Sequence, residues 1–320
     1  MKHIKIESSH QIPETRKASP FFYLALFTFA ISLIYITGIG LPYSVEIGLF
    51  ALFVVLTGIP HGAVDHIVAA DVYGLKKTFL DQAKFYGVYL FTMLILGIIW
   101  IITPVTGFII FILISVFHFG QGDLNWLTRE LGGALSWLLY ISRGVMLLTV
   151  PVIYHLEITA PIIEAAIAVD LSSYTWLVEN AFMISMLSIA QHLLFMTAAV
   201  GRVSGKYLIQ EYILILLLGV LFLFAHPLVS FGIYFGIWHS LNHFFELRDH
   251  LTESESTASF FDLYKRTVPF TLISFVGLFF LWYLLGVTGS ENQMISLLFI
   301  LISVLTLPHM LLINRMYTKN

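Results

Sequence analysis

Apolar runs of bilayer length recur along the chain, separated by short polar connections. A hydrocarbon core about 30 Å thick needs about 20 apolar helical residues to cross it, and windows of that length fall at 20–39, 44–67, 86–103, 105–124, 132–152, 176–199, 208–225, 228–247, 268–287 and 293–313. Backbone polar groups find no water inside lipid, so such runs must close their hydrogen bonds internally, as helices. The pattern predicts an all-α, polytopic integral membrane bundle of about ten transmembrane helices. One transmembrane domain is expected over 20–314, between a polar N-terminal segment at 1–19 and a tail at 315–320. The first apolar run exceeds a signal-peptide core and lacks a small-x-small cleavage site, which predicts a retained helix.

Charge gives that bundle a direction. With the N-terminus cytoplasmic, Lys2, Lys5, Arg16, Lys17, Lys76, Lys77, Lys84, Arg129, Arg202, Lys206, Arg248, Lys265, Arg266, Arg315 and Lys319 all fall on the inner side, leaving Arg143 as the only basic residue within a span. The outward connections hold His155, Glu157, Glu164, Asp170, Glu179 and Glu291 but no Lys or Arg. This one-sidedness predicts that both termini are cytoplasmic and that the protein is a multi-pass component of the cell (inner) membrane. The 155–170 stretch is too short and acidic to span, and is expected to lie at the outer interface or re-enter it; 249–266 is expected to be the most polar interior loop.

Composition narrows the chemistry. At 58% hydrophobic and 11% charged residues the chain lies outside the soluble range, and a formal charge of −3 offers no basic excess for nucleic acid. No cysteine is present, so disulfides, thiolate metal sites and Fe–S clusters are excluded, and any metal falls to histidine and carboxylate.

The chain has 12 histidines, and their placement is more telling than their number. His61 and His66 lie in the second span, His118 in the fourth, His192 in the sixth, His239 and His243 in the eighth and His309 in the tenth. All are even-numbered helices, and at ~1.5 Å per residue each histidine is within about three turns of the cytoplasmic end. A lone histidine in a membrane helix is more often an interhelical hydrogen-bonding group than a ligand. Here His239 and His243 sit at i and i+4 on one helix face, and with His61 and His118 at matched depth the set favours a metal site.

Asp65, Asp123 and Glu246 follow these histidines closely in sequence. A carboxylate can ligate directly, cap a helix end, or accept the N–H of a ligating histidine and orient its ring; the last role is favoured. Pro60-His61-Gly62 and Pro308-His309 place a helix break beside a histidine, as helices lining a cavity often do.

Three blocks, Gly58-Ile59-Pro60-His61-Gly62-Ala63-Val64-Asp65-His66, Phe117-His118-Phe119-Gly120-Gln121-Gly122-Asp123 and Trp238-His239-Ser240-Leu241-Asn242-His243, together resemble the Brp/Blh family of membrane β-carotene 15,15′-dioxygenases, from about residue 50 to Pro308-His309-Met310. The resemblance implies cleavage of β-carotene by O₂ at the central double bond into two all-trans-retinal, at a non-haem Fe(II), often in the service of a retinal-accepting rhodopsin. Carried over by motif, the four iron ligands are His61, His118, His239 and His243. Asp65, His66, Asp123, His192, Glu246 and His309 are then expected around them. Phe117, Phe119, Tyr234, Phe235, Trp238 and Phe244 flank the ligands in sequence and are expected to wall a tunnel for a long polyene.

Two other classes use similar residues. A membrane desaturase or hydroxylase holds two metals in HxxHH-type clusters, whereas this chain has one HxxxH and no adjacent histidine pair. A His/carboxylate proton-relay transporter would need no tightly held metal, so metal analysis separates it from the enzymes. A retinal-binding receptor would need a lysine inside a span for the Schiff base, and none falls there.

Overall fold

The computed structural model describes residues 18–76, 78–128, 131–254, 259–284 and 289–319. Lys2, Lys5, Arg16, Lys17, Lys77, Arg129 and positions 285–287 of the ninth predicted span lie outside them. Among the described residues the chain is helical and contains no strand, only an isolated bridge between Val200 and Val203.

Helix α1 (Ala18–Ile36) is followed by α2 (Tyr43–Phe53), which runs through a π-helical turn, π1 (Val54–Gly58), into α3 (Ile59–Gly62). The rod bends at Ala63–Val64 and resumes as α4 (Asp65–Tyr73), closed by Gly74 in the left-handed conformation at φ 62°. Then come α5 (Phe79–Ile102), α6 (Pro104–Thr128), α7 (Gly133–Ile153), α8 (Leu156–Ile167), α9 (Thr175–Glu179), α10 (Ala181–Thr197) and α11 (Gly205–Phe224). A second interrupted rod joins α12 (Pro227–Ile233), π2 (Tyr234–Leu241) and α13 (Asn242–Ser254), and the chain finishes with α14 (Phe260–Leu284) and α15 (Glu291–Lys319).

Seven predicted runs fall on helices long and apolar enough to cross a membrane: Tyr43–Tyr73, Phe79–Ile102, Pro104–Thr128, Gly133–Ile153, Gly205–Phe224, Phe260–Tyr283 and Glu291–Thr318. The first and sixth runs fall on shorter apolar helices, Phe21–Ile36 and Ala181–Thr197, and the eighth on the α12–π2–α13 rod. Only 11% of the most apolar window is buried in α5 and in α14, against 56% in α7, so α5 and α14 stand at the edge of the bundle and α7 at its centre. Val88, Phe91 and Leu94 on α5 and Ile273, Val276 and Phe279 on α14 are exposed, an apolar surface that lipid covers.

Three of the polar stretches carry helix. Among the described residues of 249–266, α13 extends to Ser254 and α14 starts at Phe260, so Asp249, Asp262, Lys265 and Arg266 sit on helix ends. The tail likewise continues α15 to Lys319. The 155–170 stretch contains the 12-residue α8, ended by Ala168 at φ 55° and packed against α15.

Close approaches at glycine fix the rods that matter for the site. A Cβ on Gly120 would overlap the Tyr140 carbonyl, and one on Gly144 the Val116 carbonyl, so α6 and α7 cross at backbone contact. Such contact is the usual source of helix association in lipid, where burial of apolar surface gives little drive. The two π-helical turns also meet closely: a Cβ on Gly58 would lie 2.5 Å from Phe235, and one on Gly236 2.8 Å from Thr57 Oγ1.

Candidate metal centre

His61 on α3, His118 on α6, His239 on π2, His243 on α13 and His309 on α15 meet in one layer, all buried. One nitrogen from each of His61, His118 and His239 lies within 4.8 Å of the others. Ring centroids are 5.0 Å apart for His118 and His239 and 5.5 Å for His61 and His239. His309 is 5.0 Å from both His61 and His118, while His243 is 5.6 Å from His309, 6.0 Å from His61 and 6.4 Å from His239. Imidazoles sharing one ion at nitrogen distances of about 2.0–2.1 Å have centroids about 4.5–6.5 Å apart, and each of these spacings falls in that interval.

The backbone explains part of the convergence. The turn π1 ends three residues before His61, and π2 carries His239; π-helical turns re-aim side chains and recur at functional sites. His239 and His243, on successive turns, hold their rings nearly parallel at 11°.

Among the described residues, Nδ1 of His61, His239 and His309 has a hydrogen-bond partner and that of His243 lies near a carboxylate. His61 Nδ1 meets the Gly58 carbonyl and, at 3.1 Å, Ser240 Oγ. His239 Nδ1 lies 3.5 Å from Asp123 Oδ1, His243 Nδ1 3.6 Å from Glu246 Oε2 and His309 Nδ1 2.7 Å from Asp65 Oδ1. The opposite nitrogen, Nε2, of His239, His243 and His309 is buried without a hydrogen-bond partner among the described residues. Leaving one such atom unsatisfied costs about 1–3 kcal/mol. Neutral imidazoles with Nδ1–H given to a carboxylate or carbonyl present the Nε2 lone pair, so the donor set fits a transition-metal ion.

The carboxylates are themselves held. Asp123 accepts from Arg143 Nε at 3.2 Å and from the Tyr234 hydroxyl at 3.4 Å, and the fully buried Arg143 also lies 3.9 Å from Glu211. Glu246 accepts from the Tyr317 hydroxyl at 2.9 Å and Asp65 from the Tyr89 hydroxyl at 2.8 Å. Asp65, four residues after His61, therefore serves His309, because the bend at Ala63–Val64 turns α4 toward α15. His66 lies against Phe270 at 4.4 Å with Nδ1 at the Ala63 carbonyl. His192 stands apart, its Nδ1 2.8 Å from Ser142 Oγ between α7 and α10.

An apolar cavity of about 410 Å³ opens beside the cluster, with His61, Asp65 and His309 on its inner wall. Of the six aromatic residues flanking the ligands in sequence, Phe235 lines it. Phe119 packs edge-on against His239 at 4.8 Å, the Tyr234 hydroxyl faces Asp123, and Trp238 donates to Thr28 at 3.0 Å. Phe117 stacks on Trp137, and Phe244 packs against Phe260 and Tyr264. The remaining wall comes from α5, α14 and α15, through residues such as Tyr86, Met93, Phe270, Ile273 and Leu305. Phe85, Tyr86, Tyr89, Leu90 and Met93 recur at helical spacing on α5, a signal legible in the sequence.

Fold and site together define a helical membrane protein with a buried histidine cluster able to hold a metal ion beside a lipid-side apolar cavity. Residues 52–317 match the family model described as Beta-carotene 15,15'-dioxygenase, and the chain belongs to that family. It is also similar to a "Beta-carotene 15,15'-dioxygenase" of Uncultured marine bacterium 66A03, 26% identical over 270 residues that cover 82% of this chain and 91% of the relative. No solved structure matches the chain. Family and relative support carotenoid cleavage as the type of activity.

Proposed function

We propose that the chain cleaves β-carotene with O₂ at the central 15,15′ double bond, giving two all-trans-retinal, at one Fe(II) held by His61, His118, His239 and His243. The observation that carries this reading is the contact between cluster and cavity: His61 belongs to both. Balance is simple, since the C=C bond breaks, each carbon receives one oxygen atom of O₂, and no proton is gained or lost. The residues therefore need supply no general acid. Fe(II), when bound, would supply the electrons through which O₂ reacts with a closed-shell alkene. Phe235, Phe270 and Leu305 hold the polyene by apolar contact and exclude water. Asp123 and Glu246 fix the rings of His239 and His243. The cavity is bounded by α5 and α14, the least buried spans, which suits a substrate dissolved in the bilayer.

The same reading has ten crossings with both termini cytoplasmic in the cell's inner membrane, supported by the one-sided distribution of Lys and Arg. Expression in cells that accumulate β-carotene tests the activity. Loss of orange colour with retinal as the product is expected, and His118→Ala should leave the pigment intact. Persistent β-carotene with the unaltered chain, or aldehydes of unequal length, would refute it.

A further inference from the structure

We infer that His309 is a further ligand of the same ion, with Asp65 and Tyr89 as its positioning residues; the inference rests on the metal centre proposed above. The ring of His309 sits 5.0 Å from those of His61 and His118 and 5.6 Å from that of His243, and is within a few degrees of perpendicular to each, at 88°, 84° and 90°. Those are closer approaches than His243 makes to His61 or His239, at 6.0 and 6.4 Å. Geometry alone therefore ranks His309 no lower than His243 as a donor.

Hydrogen bonding supplies the second argument. Asp65 Oδ1, at 2.7 Å, takes the Nδ1 proton of His309 and so fixes the tautomer in which Nε2 carries the lone pair. That Nε2 is buried and has no partner among the described residues. Asp65 is in turn held at its other oxygen by the Tyr89 hydroxyl at 2.8 Å. A carboxylate clamped from both sides and bonded to a histidine whose far nitrogen is vacant is the arrangement that orients metal-ligating imidazoles. An interhelical hydrogen bond between α15 and α4 would account for Nδ1 but not for the orphaned Nε2. Tyr89, Asp65 and His309 also line the cavity, so this unit stands between the cluster and the space where substrate is held.

Anaerobic titration of the purified apoprotein with Co(II), followed by visible absorption, reads both affinity and coordination without turnover. His118→Ala is the reference for the centre itself and should bind at least about tenfold more weakly. His309→Ala and His309→Gln should each weaken Co(II) binding at least about tenfold and alter the absorption bands. Asp65→Asn should weaken it by about 10- to 100-fold, and Tyr89→Phe by less. In His309→Gly, added imidazole should restore the wild-type spectrum by entering through the cavity, a rescue that a purely structural role would not give. Wild-type affinity and spectrum in His309→Gln, beside a defective His118→Ala, would overturn the inference and leave the metal centre standing. Wild-type binding by His118→Ala would overturn both.

Discussion

Arg143 Nε donates to Asp123 Oδ2 at 3.2 Å in the middle of the bundle, with the arginine side chain wholly buried. Asp123 faces His239 at 3.5 Å, so a charge on α7 is coupled through α6 to a ring on π2. Removing one member of a buried ion pair leaves the other uncompensated and costs about 3–5 kcal/mol. Asp123→Asn should therefore lower the thermal midpoint in detergent far more than Asp123→Asn combined with Arg143→Met. Equal losses in the single and double variants would show that the pair is not coupled.

The crossing of α6 and α7 leaves no room for a methyl group. Gly120→Ala and Gly144→Ala should each destabilise the protein by about 1–3 kcal/mol, by forcing apart helices in backbone contact. Gly87→Ala, on exposed α5 with nothing within 4 Å of its Cβ, should be neutral. Thermal unfolding of the three variants separates these outcomes.

Gly277 lines the cavity, and its Cβ position is open space. A phenylalanine there should fill the cavity and lower retinal formation by about tenfold or more, with bound metal unchanged. Undiminished turnover by Gly277→Phe would place the polyene elsewhere.

His155, between α7 and α8, has its pKa pushed below the ordinary histidine value by burial, which outweighs its hydrogen bond to the Phe222 carbonyl at 2.8 Å. A lowered folded-state pKa means that the unfolded chain takes up the proton first. The contribution to stability is present above the unfolded value and is lost as pH falls through the folded one. Thermal midpoints should drop on acidification below about pH 6.5, and His155→Gln should flatten that dependence.

The meeting of the histidines is legible in the sequence because residue type and position along each apolar run are both written there. That ground groups His61, His118, His239 and His243, of which the first three have nitrogens within 4.8 Å of one another. Neighbourhood in sequence was a poorer guide. Successive residues on a helix point about 100° apart, so Phe117 and Phe244, placed beside ligands in the chain, face other helices. Asp65 comes one turn after His61 in the sequence, but the bend at Ala63–Val64 sends it to His309. Neither that bend nor the π-helical turns leaves a mark in hydropathy. Arg143 stood out as the one basic residue in a span, but its partners on α6 and α11 are set by tertiary packing.

Iron bound per chain, measured on purified wild-type protein and on His61→Ala, His118→Ala and His239→Ala, decides whether the histidine cluster is a metal centre. About one iron per wild-type chain and almost none in each variant is expected, because the three nitrogens lie within 4.8 Å of one another, close enough to share one ion. Wild-type iron content in any two of the three variants would contradict it.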